Sequence, residues 1–303
     1  MAVIAPAPPR SLVVGGRLPR TRPWYTDVWV QMVRRKPLGT VGGVIVLVML
    51  AGAVLADVVT PYGFSDTNLR ARFIPMSGAH WLGTDQIGRD MLTRVLYGAR
   101  ISLYVGFGAV VLGSVIATAL GIACAYFGGR TDLLLQRGVD AWMAFPGLLL
   151  LMTILSLLGP GVWNITLVLG IAFGIQNSRV VRGVALSVKE NTYIEGARAA
   201  GAGHLRVTVV HILPNALPTI IVVATTGLST VILTEASLSF LGLGVPPPYP
   251  TWGGMLSLAG LDHMYRAPWL ALWPATALSL AVFGFNMLGD ALRDLLDPRL
   301  KGG

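Results

Sequence analysis

Six apolar runs, at about 38–59, 101–127, 141–158, 162–178, 216–241 and 269–288, constrain this 303-residue chain more than any other feature. A helix rises 1.5 Å per residue, so about 20 apolar residues cross the ~30 Å hydrocarbon layer of a bilayer. Most of the runs are that long. Inside the layer every backbone polar group must be satisfied internally, which leaves helices or closed barrels. Barrel strands alternate apolar and polar side chains, whereas these runs are continuously apolar. The fold expected is therefore all-α, a polytopic membrane protein with six transmembrane helices. Composition agrees, with 54% hydrophobic and 12% charged residues, where soluble domains carry about a quarter charged. Thr60-Pro61-Tyr62-Gly63 ends the first run and Gly128-Gly129 the second, and Pro146 predicts a kink near the start of the third.

Residues 1–36 are a different material, rich in Pro and Arg and without periodicity. They read as a disordered cytoplasmic tail, and 37–303 as the membrane domain. The run that follows is longer than the core of a cleaved signal peptide, about 7–15 residues, so it is read as an uncleaved first span. Basic residues of membrane proteins collect in cytoplasmic loops. With the N-terminus inside, 17 Lys and Arg fall in the tail, 128–140, 179–215 and the C-terminus, against six in 60–100 and 242–268. Both termini are expected to be cytoplasmic. The net charge of +9 is explained in this way, and no nucleic acid partner is expected. The single cysteine, Cys124, lies in an apolar run and reads as a packed small residue.

Two connecting segments have patterns of their own. Residues 84–100 read as an amphipathic helix, with Ile87, Met91, Leu92, Val95, Leu96 and Ala99 on one half of its wheel, either lying at the membrane surface and leading into the second run or serving as a gate or a contact for an external partner. An inner loop at 185–215 reads as two short helices around Gly201-Ala202-Gly203, the second (204–213) stopped by Pro214.

No phosphate-binding Gly-x-x-x-x-Gly-Lys-Ser/Thr loop is present, so ATP binding is not assigned to this chain. The four histidines lack metal-ligand spacing, no nucleophile–base pair is visible, and no metal site or catalytic activity is assigned. Ionisable residues within the runs are few. Glu235 is the deepest, and either holds helices together, faces another subunit or lines a path. Asp57 lies near the outer end of the first run. Arg179 and Arg182 stand at the inner end of the fourth, where long side chains snorkel to water.

The inner loop reads Glu195-Gly196-Ala197, three residues, Gly201, nine residues, then His211-Ile212-Leu213-Pro214. This resembles the EAA loop of ABC importer permeases, with Gly196 where that family favours alanine. Leu82-Gly83-Thr84-Asp85-Gln86-Ile87-Gly88-Arg89-Asp90 and Tyr97-Gly98-Ala99-Arg100-Ile101-Ser102-Leu103 look like the C-type permease of dipeptide and oligopeptide importers. So do Ser237-Leu238-Ser239-Phe240-Leu241-Gly242-Leu243-Gly244, Trp252-Gly253, and the run from Leu288-Gly289-Asp290 to Asp297-Pro298-Arg299-Leu300. The blocks cover about 37–300.

The resemblance implies a type I ABC importer permease fold in a bacterial cytoplasmic membrane, half of a channel completed by a second, B-type permease. It implies one or two cytoplasmic ATPase subunits holding ATP and Mg, an extracytoplasmic substrate-binding protein, and a di- or oligopeptide cargo. It assigns Glu195, Gly196, Ala197, Gly201, Leu213 and Pro214 to the loop that docks on the ATPase. Other cargoes on the same architecture (nickel, a glutathione-like peptide, heme) stay open, as does, more remotely, an ion-coupled carrier or a non-transporting scaffold.

Overall fold

The computed structural model describes residues 36–257 and 263–296. Within them the regular structure is helical, apart from an isolated antiparallel bridge between Thr84 and Asp90. The tail at 1–36 lies, except for Lys36, outside the described residues. In chain order the helices are α1 (Pro37–Val54), α2 (Ala56–Val59), α3 (Met91–Phe127), α4 (Gly129–Met143), α5 (Gly147–Leu158), α6 (Val162–Lys189) and α7 (Thr192–Ala199). Then follow α8 (His204–Arg206), a π-helical turn (Val207–Ile212), α9 (Leu213–Phe240), α10 (Trp252–Leu256) and α11 (Trp269–Leu296).

Among the described residues four stretches are long and apolar enough to cross a membrane: α1, α3, α11 and the continuous helix from α8 through α9. A fifth is reached if α4 and α5 form one bent span, with 89° between them. The kink expected at Pro146 near the start of the third run is thus a full elbow, and the loop expected at 128–140 is helix. Pro146 explains the break. It has no N–H to continue α4, it disfavours helical backbone at Phe145, and it becomes the N-cap of α5. α6 is 28 residues long, but Gln176, Asn177 and Arg179 interrupt its apolar stretch.

The α3–α6 pair makes the most extensive contact in the bundle. Small residues permit the approach: a Cβ on Gly113 would lie 2.7 Å from the Gly170 carbonyl oxygen, and one on Gly174 would lie 2.6 Å from the Ile116 Cβ. Without a hydrophobic driving force between helices in lipid, such close packing is what holds them together. The central core joins α1, α3, α5, α6, α9 and α11 through residues such as Leu103, Val105, Ile165, Leu169, Phe173, Ile232 and Phe285. Hydrogen bonds add specificity. Ser229 donates to Asn286 between α9 and α11 at 2.7 Å, and Lys36 pairs with Asp294 at 2.5 Å, tying the start of α1 to the end of α11.

Two further expectations are corrected. The helix expected over 84–100 begins only at Met91, because the Asp90 carboxylate caps it by accepting from the Thr93 N–H at 2.9 Å. From there it continues, as expected, into the second apolar run. Met91 and Ala99 of its apolar half are buried in the protein, as are Thr93 and Arg94 of its polar half, while Ile87, Leu92, Val95 and Leu96 are half-buried. Pro214 does not stop a helix either. A proline in an α-helix loses one hydrogen bond and clashes with the carbonyl four residues back. Here the wider π-turn opens the helix just before it, and the Asn215 side chain donates to the His211 carbonyl at 2.7 Å. The chain from α8 into α9 is therefore one continuous helix.

Candidate functional site

The loop singled out by the sequence is α7 with the turn that follows it. Its anchor is Ile194, the one large aliphatic residue between Lys189 and Ala202, which is fully buried. It packs in a cluster with Ala117, Ile122, Ala125 and Tyr126 of α3, Val181 and Ala185 of α6, and Val207 and Ile212 of the π-turn. Sequence reading missed Ile194, although its isolation in a polar stretch was the signal.

The end of α7 is closed by paired hydrogen bonds. Gly201 N–H donates to the Arg198 carbonyl at 2.9 Å and Ala202 N–H to the Ala197 carbonyl at 3.0 Å. This is the Schellman arrangement, and it needs a left-handed residue at its turn; Gly201 supplies it with φ +84°. Gly203 has φ −69° and makes no such demand.

Four more contacts fix the loop to the end of α3. Lys189 Nζ donates to the carbonyls of Ala125 (2.8 Å) and Tyr126 (2.9 Å), placing a positive charge where the helix dipole is negative. The Tyr126 hydroxyl is 2.7 Å from His204 Nδ1, and the Arg198 guanidinium lies 5.0 Å from the Tyr126 ring centroid. On the outward face Tyr193, Glu195, Gly196 and Arg198 are exposed, with Ala197 half-buried. Glu195 has no ion-pair partner among the described residues and sits in the first turn of α7, on the favourable side of its dipole. Leu213 is half-buried and Pro214 exposed. The structure thus brings Glu195, Gly196, Ala197 and Gly201 onto one short anchored helix and its cap, and joins Leu213 and Pro214 to them through the π-turn.

Arg179 and Arg182, expected to snorkel, pair instead with α4. Arg182 makes two hydrogen bonds to Asp132, at 2.7 and 2.5 Å, and Arg179 bonds Asp140. These pairs tie the elbow to α6.

Glu235 is fully buried between α9 and α3. Its carboxylate accepts from Ser239 at 2.6 Å and from Ser102 at 3.1 Å. The bond from Ser102 ties α9 to α3, the first of the three roles left open by the sequence. Asp57 is paired with Arg100 at 2.9 Å and accepts from the Tyr97 hydroxyl.

At the opposite end, the 84–90 turn is a closed polar knot. Asp85 accepts from the N–H groups of Ile87 and Arg89, both at 2.9 Å, and from Arg89 Nε at 2.6 Å; Arg94 Nε lies 3.7 Å away. Asp90 holds His80 Nδ1 at 2.9 Å besides capping α3, and the Thr84 carbonyl accepts from Trp269 Nε1 at 3.0 Å.

Comparison with known proteins gives this geometry its setting. Residues 89–302 match the family described as binding-protein-dependent transport system inner membrane component, and residues 23–75 match the N-terminal TM domain of oligopeptide transport permease C. The chain is similar to the dipeptide transport system permease protein of Alkalihalophilus pseudofirmus, 41% identical over 279 residues, 92% of this chain and 91% of the relative. It is similar also to the glutathione transport system permease proteins of Pectobacterium atrosepticum, 40% identical over 282 residues, and of Escherichia coli, 41% over 284, each alignment covering 92% of both chains.

Proposed function

The chain belongs to the family of binding-protein-dependent transport system inner membrane components, and from that premise we propose that it is the half-channel of a peptide importer that receives ATP-driven motion through α7. It is a multi-pass membrane protein and a permease subunit of an ABC importer, in a family of non-catalytic membrane components. The cargo proposed is a di- or oligopeptide, supported by relatives named for dipeptide and for glutathione transport. The complex proposed contains a second permease, one or two ATPase subunits carrying ATP and Mg, and an extracytoplasmic binding protein. Six crossings are proposed, with α4–α5 as a bent span and α6 as a further one, both termini on the ATPase side, residues 1–36 as a tail, and a bacterial cytoplasmic membrane as the location. The bacterial origin of the relatives supports the last of these.

The observation that carries the coupling role is the division of α7 into a buried and a presented side. Ile194 locks the helix to α3, α6 and the π-turn, while Glu195 and Arg198 stand outward with Gly196 between them. A short helix laid in a groove of the ATPase is moved when that groove moves. The capped turn at Gly201 and the continuous rod from α8 into α9 then carry the displacement into the membrane without a slack linker. Glu195 is proposed to meet a basic residue of the ATPase.

The test is ATP hydrolysis and peptide uptake by the reconstituted complex. Glu195→Lys is expected to leave the complex assembled in the membrane while hydrolysis no longer drives uptake. Normal uptake per ATP in this variant would remove the coupling role from α7.

A further inference from the structure

The centre of α6 is polar. Gln176 stands fourteen residues from the first residue of α6 and thirteen from the last. At 1.5 Å per residue that is about 20 Å from either end, inside any ~30 Å hydrocarbon layer the helix crosses. The neighbouring Asn177 and Ser178 turn their polar groups onto their own helix, donating to the carbonyls of Phe173 (2.9 Å) and Ile175 (2.7 Å). Gln176 is exposed and has no hydrogen-bond partner among the described residues. An amide in this position is strongly disfavoured against lipid tails and at ease against water.

Gln176 opens into a groove of about 410 Å³ between the α4–α5 elbow, α6 and α9. Thr234 and Ser237 of α9 face it, with Trp142 and Phe145 of the elbow on the other side. Thr230, one turn from Thr234, is also exposed and extends the hydroxyl line along α9. Thr234 and Ser237 donate to carbonyls of their own helix, at 2.8 and 2.9 Å, which leaves their oxygens as acceptors. Gln176 offers both a donor and an acceptor. None of the groove's lining residues is charged. Two larger grooves differ in kind. One is lined by Leu50, Leu103, Phe107, Val111 and Leu167, the other by Val115, Ile122, Val209, Leu217 and Ile220, and both are almost wholly carbon.

We propose that the Gln176–Thr234–Ser237 groove is this chain's share of the wet wall of the translocation path, and that it meets the cargo through the peptide backbone. This rests on the permease reading above. Neutral donors and acceptors pair with the N–H and C=O groups that every peptide carries, whatever its side chains. A path must hold its cargo strongly enough to admit it and weakly enough to release it, and a wall without charge traps neither the amino nor the carboxyl end. Trp142 and Phe145 add apolar contact surface that suits many side chains.

The experiment uses the whole complex in vesicles, in a Cys124→Ala background. Gln176→Cys, Thr234→Cys and Ser237→Cys are compared with Val111→Cys in a carbon-lined groove. Only the thiolate reacts, and it forms in water rather than in lipid, so a soluble trimethylammonium methanethiosulfonate is expected to modify the three groove cysteines at least tenfold faster than Val111→Cys. Modification is expected to block ATP-dependent dipeptide uptake. Unmodified groove cysteines in a complex that transports normally would mean that the second permease or lipid covers the face. Modification without loss of uptake would mean a wet crevice off the path. Either result overturns the proposal.

Gln176→Leu is expected to slow dipeptides with acidic, basic and neutral side chains by the same several-fold factor. A loss confined to one class overturns backbone recognition. Failure of the permease reading itself shows elsewhere, as wild-type uptake that does not require ATP.

Discussion

The 84–90 turn and the α7 loop are both short, polar and glycine-containing, yet they are built in opposite ways. The turn spends its charges on itself: Asp85 and Asp90 are buried and each accepts several hydrogen bonds from the same few residues and the start of α3. α7 keeps its backbone in order with one buried isoleucine and one capped glycine, and leaves Glu195 outside. A charge satisfied within its own fold is unavailable to a partner. The first region is therefore a brace and the second a handle, although residue type alone does not separate them.

Breaking the brace should have the largest effect. Asp85→Ala leaves Arg89 and Arg94, both largely buried, without their carboxylate; removing one partner of a buried pair costs about 3–5 kcal/mol. A clear fall in Tm of the purified protein in detergent is expected, and an unchanged Tm would show that the knot is ornamental.

Ile194→Ala comes next, since truncating a buried isoleucine costs about 2–5 kcal/mol. Here the loss should be local. Proteolysis within 190–203 and hydrogen exchange of α7 should accelerate, while exchange in the 84–90 turn stays as in the wild type.

Gly201→Leu forces a branched side chain into φ +84°, a strain of about 1–3 kcal/mol. Uptake per ATP hydrolysed should fall while the protein still inserts, whereas Gly203→Ala, at φ −69°, should transport normally. Equal loss in both would mean that flexibility, not the capped turn, matters there.

The smallest effect is expected at Gly196. Open space surrounds it, so Gly196→Ala should stiffen α7 by about 0.5–1 kcal/mol and slow its exchange slightly, with coupling retained. Loss of coupling would place the ATPase surface directly on that glycine.

Much of the bundle is legible in the sequence because the cost of an unsatisfied backbone in lipid leaves a long apolar run few alternatives to a helix. The runs at 38–59, 101–127, 216–241 and 269–288 correspond to α1 with α2, α3, α9 and α11. The residues of the candidate coupling loop are legible too, through their spacing from Glu195 to Pro214. Illegible were the points at which two local rules compete. Pro146 breaks its helix into an elbow, while Pro214 is absorbed by a π-turn; the same residue type has opposite outcomes because only the second has a wider turn and an Asn215 amide beside it. Met91 and Ala99 read as a membrane-lying face, but Met91 packs with Met255 of α10 and Leu270 of α11, and Ala99 belongs to the central core. Arg179 and Arg182 read as snorkelling until α4 supplies Asp140 and Asp132.

By itself, then, the sequence determined that the chain is helical, crosses a membrane and carries a short loop of distinctive spacing, since these follow from apolar length and local turn chemistry. Tertiary structure alone decided which polar groups are used up and which are presented. Glu235, the deepest carboxylate, is consumed by Ser102 and Ser239, whereas Gln176 is left facing a groove. That distinction depends on which helix stands opposite, and no local pattern encodes it.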